Sequence, residues 1–173
     1  MANCVPYTLK VVAKDKEILE RLFKIMNYHD KEYYIYRVYD VDVEEDEPEF
    51  VNGYYVQTFF GNVAWGASPW INDKEDKEDK ESETGAHYTT LVELAKKFDF
   101  GFELFYCDEK MMYQKYWRVN HLGHVVDAEY VDNWEVTTND ETGEIEETGG
   151  LDYYEEFSEP KEVFELEKDD LNT

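Results

Sequence analysis

The stretch VPYTLKVVAKDKEILERLFKIMN, Val5–Asn27, decides how the rest of the chain is read. From Val5 to Val12 the pattern is that of a strand, with Tyr7, Leu9 and Val11 on one side and Thr8 and Lys10 on the other. From Asp15 the period lengthens. Ile18, Leu19, Leu22, Phe23 and Met26 recur at helical spacing, Asp15 is placed to cap the first turn, and Glu17 suits its positive end. A strand followed at once by an amphipathic helix opens an α+β domain.

Further along, Tyr33–Val43 is rich in β-branched and aromatic residues and reads as a second strand. It runs into the acidic loop Glu44–Glu49, and Asn52-Gly53 marks a turn before the strand Tyr54–Phe60. Gly61 and Gly66 bracket Trp65, and Pro69 follows, so the chain leaves the sheet irregularly here. Asp73–Glu83 nearly repeats Asp-Lys-Glu three times without an apolar anchor and reads as a mobile surface loop. Thr90 and Glu93 form a capping-box pattern before Leu91, Val92, Leu94, Ala95 and Phe98, the buried stripe of a second helix. Phe100–Cys107 alternates again. Tyr116–Asn120 and His124–Val131 form a hairpin around His121-Leu122-Gly123, and Trp134–Thr138 pairs with Glu144–Glu147 around Asn139–Gly143. Val163, Phe164 and Leu166 anchor a short last segment.

One helix after the first strand and one after the third is the ferredoxin-like split β-α-β pattern. The expected fold is an antiparallel sheet with two helices on one face, the other face left for solvent or a partner. Extra C-terminal β-hairpins and an acidic tail extend it. Residues 1–131 form the domain, with the insertion at 73–83, and residues 132–173 pack on it as an acidic extension.

Charge is distributed unevenly on this frame. The chain of 173 residues carries a net charge of −25. Met1–Tyr39 has seven bases against five acids and Gly85–Asn120 five against five. Asp40–Thr84 has three bases against fourteen acids, and His121–Thr173 two against eighteen. A charge of roughly 2–8 keeps a small domain soluble. Two acids at ~7 Å in water repel by about 0.6 kcal/mol before screening, so a surface this dense costs stability and favours a binding role over solvation alone. Strongly acidic chains with few aromatics are disordered, but aromatics make up 17% of this one, fifteen of them Tyr, and they supply a core. No apolar run reaches the length of a membrane helix, and Met1–Leu9 has no leader pattern. A cytoplasmic protein is expected. Cys4 and Cys107 read as buried small apolar residues with no disulfide between them.

The opening Ala2-Asn3-Cys4 with its strand and helix, the pair Trp65-Gly66, the helix Leu91–Phe98 leading into Phe100–Tyr106, and the hairpin Tyr116–Val126 together resemble a known group. It is that of small phage and mobile-element proteins with a ferredoxin-like domain, the Api-ninety-two-like proteins. The resemblance covers Met1 to Val126. It departs at Cys107–Met112, where the group has a glycine-rich turn, and the extension beyond Asp127 has no counterpart. It implies a mobile-element context and no established catalytic residues. Resemblance and charge together imply an inhibitor of host defence, of the anti-CRISPR or anti-restriction kind that imitates DNA.

Chemistry is sparse in the sequence. There is no GxSxG, P-loop, GxGxxG or HExxH. His121 and His124 read as exposed turn histidines, since nearby Asp127 or Glu129 could supply one further ligand but no closed four-ligand set is visible. Setting Gly143 at the invariant glycine of a calcium loop puts Gly149 where a bidentate Glu is required. Among 42 carboxylates, chance proximity makes an acid–base pair uninformative. No enzymatic activity, metal or cofactor is expected.

The expected function is phosphate mimicry. Carboxylates on a rigid frame would fill the Lys- and Arg-lined channel of a basic nucleic-acid-binding protein or ribonucleoprotein, without binding nucleic acid or a membrane directly. The expected acidic contacts are Asp132, Glu135, Asp140, Glu141, Glu144, Glu146 and Glu147, with Trp134 and Tyr130 as anchors. Glu44, Glu45, Asp46 and Glu47 in the loop Glu44–Glu49 form a second patch. Two alternatives stand beside this reading. One is a regulatory module that engages a basic host protein away from nucleic acid, and the weaker one is a hydrolase using a carboxylate pair.

Overall fold

The computed structural model describes residues 4–72, 85–107, 113–132, 134–149 and 158–168. The insertion at 73–83 lies outside the described residues. In chain order the elements are β1 (Cys4–Ala13), α1 (Lys16–Met26), β2 (Tyr33–Ile35), β3 (Asp42–Val43), β4 (Glu49–Val51), β5 (Tyr54–Ala64) and α2 (Ser68–Ile71). They continue with β6 (His87–Thr89), α3 (Leu91–Phe98), β7 (Phe100–Cys107), β8 (Tyr113–Val119), β9 (Val125–Asp132), β10 (Trp134–Thr138), β11 (Ile145–Gly149) and α4 (Pro160–Glu165). The main sheet runs β3-β5-β1-β7-β8-β9, with β4 also on β5. Every pair in it is antiparallel.

Alternation along β1 produces two unlike faces. Val5, Tyr7, Leu9, Val11 and Ala13 turn toward α1 and α3 and close the main core with Leu19, Leu22, Ile25, Leu91 and Leu94. Trp70 is fully buried at its edge, set edge-on to Tyr7 at 4.9 Å, and its indole N–H donates to the Tyr36 carbonyl at 2.7 Å. Both helices start as their sequences prescribe: the Asp15 carboxylate accepts from Glu17 N and Thr90 Oγ1 from Glu93 N. Asn52 and Gly53 both take positive φ, 51° and 91°, the geometry of a two-residue hairpin turn between β4 and β5.

The second face is covered in part, whereas the sequence left it open. Val163 and Phe164 of α4 bury themselves against Val12, Tyr54 and Val56, and burying each is worth about 2 kcal/mol. Gly101 makes this seat. A Cβ there would lie 2.6 Å from the Val163 carbonyl oxygen, so any larger residue displaces the helix.

The expected strand Tyr33–Val43 is broken into pieces. Tyr33–Ile35 pairs in parallel with β6 in a separate two-stranded sheet, Val38 makes one bridge to Val63, and only Asp42–Val43 joins the main sheet. The break falls at Arg37, whose φ of 65° turns the chain out of extended geometry. Beyond β9, β10 and β11 form a ribbon of their own.

Candidate functional site: an acidic wall on the second sheet face

The segment from Asp40 to Glu49 edges the second face, and β5 holds it there. The Asp40 carboxylate accepts from Asn62 N at 2.6 Å and from Asn62 Nδ2 at 3.3 Å. Its carbonyl accepts from the Tyr7 phenol at 3.0 Å, a phenol whose pKa is pushed up by burial and then by the Asp40 charge. Gly61 allows the close approach, since a Cβ there would stand 2.3 Å from the Asp40 carbonyl oxygen. Asp42 pairs with Phe60, Glu44 N donates to Thr58 O, Gln57 Nε2 donates to Glu45 O, and Glu49 pairs with Val56. An acidic run that alone would self-repel is fastened to the sheet edge at five places.

Inside this wall the face is concave. Thr8, Lys10 and Val12 of β1 stand beside Phe60, Thr58 and Val56 of β5. A hollow of about 580 Å³ sits at the Phe60 end, lined by Pro6, Thr8, Asp40, Asp42, Phe60 and Asn62 among others. A second hollow, about 750 Å³, adjoins it along the same strands. Lys10 and Thr58 line it, together with Glu44, Glu45, Glu47, Glu49 and Glu159. Lys10 faces five carboxylates, of which Glu47 is paired with Lys16 at 2.5 Å, so the field in this part of the groove stays negative.

The far wall is set by a buried polar network. Glu103, fully buried, accepts from the Tyr116 phenol at 2.6 Å, from Ser158 N at 2.9 Å and from Ser158 Oγ at 3.2 Å. Arg118 Nη1 donates to the same Ser158 hydroxyl, and Lys10 Nζ donates to Ser158 O. Burial and the Glu103 bond both raise the Tyr116 pKa, so its phenol stays protonated and donating. This network fixes the residue before Glu159 and thereby the start of α4. The other end of α4 is tied by the Tyr54 phenol to Glu165 at 2.6 Å and by His121 stacked on Phe164, with ring centroids 4.5 Å apart.

The residues expected from sequence fall in three places. Glu44, Glu45 and Glu47 line the groove, and Asp46 is exposed at the crest of the wall. Asp140, Glu141 and Glu144 are exposed at the hairpin tip, whose backbone is held by Asn139 N to Glu144 O and Gly143 N to Asn139 O, both 2.8 Å, and by Glu141 N to Asn139 Oδ1. Asp132 ends β9, and Trp134, Glu135, Glu146 and Glu147 lie on β10 and β11. Tyr130 is separate from the wall: it pairs with Lys115, which pairs with Tyr106 and through it with Tyr7, all on the helix side of the sheet. Lys115 Nζ stands 5.6 Å from the Tyr130 ring centroid.

Asp40, Asp42, Phe60 and Glu159 were not anticipated as site residues, whereas Glu49 closes the expected loop patch. The period-two spacing of Asp40, Asp42 and Glu44 was a signal that they share one strand face. Glu159 had none, because only tertiary packing brings α4 to the groove. His121 contacts Asp99 and His124 contacts Glu167. Among the described residues no three His, Cys, Asp or Glu side chains converge as metal ligands, and no helix is long and apolar enough to cross a membrane. Comparisons with family models, curated proteins and solved structures find no match.

Proposed function

We propose that this chain is a non-catalytic acidic inhibitor that fills the basic nucleic-acid channel of a host defence complex, a CRISPR effector foremost, as small phage and mobile-element proteins do. The observation that carries this reading is the fastening of the wall from Asp40 to Glu49 on a stiff sheet. A backbone held in position sets the carboxylates along a fixed edge toward Lys and Arg side chains and leaves little backbone entropy to lose on binding. The −25 charge speeds encounter with a basic cleft and keeps nucleic acid away from the chain itself. The strand order β3-β5-β1-β7, with α1 and α3 on one face, supports a ferredoxin-like split β-α-β reading, extended here by β8 and β9.

Competition tests the proposal. A purified CRISPR effector with fluorescent target DNA should release the DNA as this chain is added, and DNA should release the chain in the reverse titration. A stable ternary complex overturns channel blocking. That outcome would favour the regulatory module on a basic host protein, a reading supported by the walled groove, which suits an inserted side chain better than a flat acidic patch does.

A further inference from the structure

We infer that the hollow at the Phe60 end of the groove is a receptor for an arginine side chain of the partner. This rests on the reading that the partner is basic, and it names the chemistry by which that partner is recognised. Pro6, Val41 and Phe60 make the hollow largely apolar, and the Phe60 side chain is 42% exposed at its floor. In one cross-strand row, Phe60 stands between Asp42 of β3 and Thr8 of β1. The Asp40 carboxylate, pinned by Asn62, closes the same side. An exposed ring with two carboxylates beside it matches a guanidinium group. The planar cation stacks on the ring face while its N–H donors reach the carboxylates at its edge. An ammonium meets the charge but not the plane. Among the described residues no Lys or Arg lines this hollow, unlike its neighbour, which already contains Lys10.

The test uses the full chain with two probes, acetyl-hexa-arginine amide and acetyl-hexalysine amide, titrated by calorimetry and by amide NMR. Hexa-arginine should bind about threefold or more tightly than hexalysine, and the preference should persist in 0.5 M NaCl, where the long-range field is screened. The largest shifts should fall at Asp42, Phe60 and Asn62. Phe60→Leu should erase the preference by weakening hexa-arginine more than hexalysine, and Phe60→Tyr, which keeps the ring, should retain it. Near-UV circular dichroism checks that both variants are folded. Equal affinity for the two peptides, a preference that survives Phe60→Leu, or shifts centred on Asn139–Glu144 would overturn the inference. If the arginine preference holds while DNA and this chain share the effector, the receptor stands and channel blocking falls. If DNA is displaced but the peptides bind equally, the reverse is true.

Discussion

The wall from Asp40 to Glu49 and the hairpin tip from Asn139 to Glu144 are both dense in carboxylates, yet they are built for different work. The wall is tied to β5, and it encloses two hollows with Phe60 and Lys10 on their floors. Among the described residues the tip is held by its own turn, on a ribbon whose strands pair with each other and with no other described strand. Charge is common to both and concavity belongs to one. Long-range attraction depends on the first, and selection among cations depends on the second.

The contrast can be broken most forcefully through α4. Gly101→Val should cost about 3 kcal/mol in chemical denaturation, because its side chain meets the Val163 backbone and unseats the helix carrying Glu159. Exchange of the hairpin amides should not change. A loss under about 1 kcal/mol would mean that α4 contributes little to the wall.

A charge reversal separates attraction from selection. Asp140→Lys, Glu141→Lys and Glu144→Lys together should slow association with hexa-arginine about tenfold at low salt and leave dissociation unchanged. Asp42→Asn should do the opposite and quicken dissociation. Stopped-flow traces in which both variants alter the same rate would erase the distinction between the two regions.

Gly143→Ala probes the tip alone. Gly143 has φ of 70°, so alanine should cost about 1 kcal/mol, read as faster exchange at Asn139 and Gly143 with no change at Val163. The smallest effect is titration of the tie between Tyr54 and Glu165. The bond from Tyr54 lowers the Glu165 pKa, so its stabilisation is present above the ordinary carboxylate range and fades as pH falls through the lowered value. Burial, then the Glu165 bond, pushes Tyr54 up to about 12. Its share is complete below the usual phenol value of 10 and fades as pH rises toward 12. Protection of the Val163 amide should therefore weaken at both ends of the pH range while the hairpin turn does not follow.

Much of the frame was legible because local physics writes it plainly. The alternation from Val5 to Val12, the caps at Asp15 and Thr90, and the Asn52-Gly53 turn each point to one backbone geometry. The segment Tyr33–Val43 misled because its β-forming residues are real, but Arg37 in left-handed geometry splits it between two sheets. Aromatic content predicts strand and is silent on which sheet the strand joins. At the site, Glu44, Glu45 and Glu47 were marked by charge. Asp40 and Asp42 had only their period-two spacing and Phe60 had no mark, since nothing local says that an exposed phenylalanine and two aspartates share a hollow.

The amino-acid order determined the element types, the two helices that seal one face, and the unequal sharing of charge, because spacing, capping and net charge act over a few residues. Only the folded arrangement decided that the second face is partly roofed by α4 and walled by acids. Both depend on contacts between residues far apart in the chain: Gly101 with Val163, Glu103 with Ser158, and Asp40 with Asn62. No local pattern records such pairings, because close approach and buried hydrogen bonds are settled by packing.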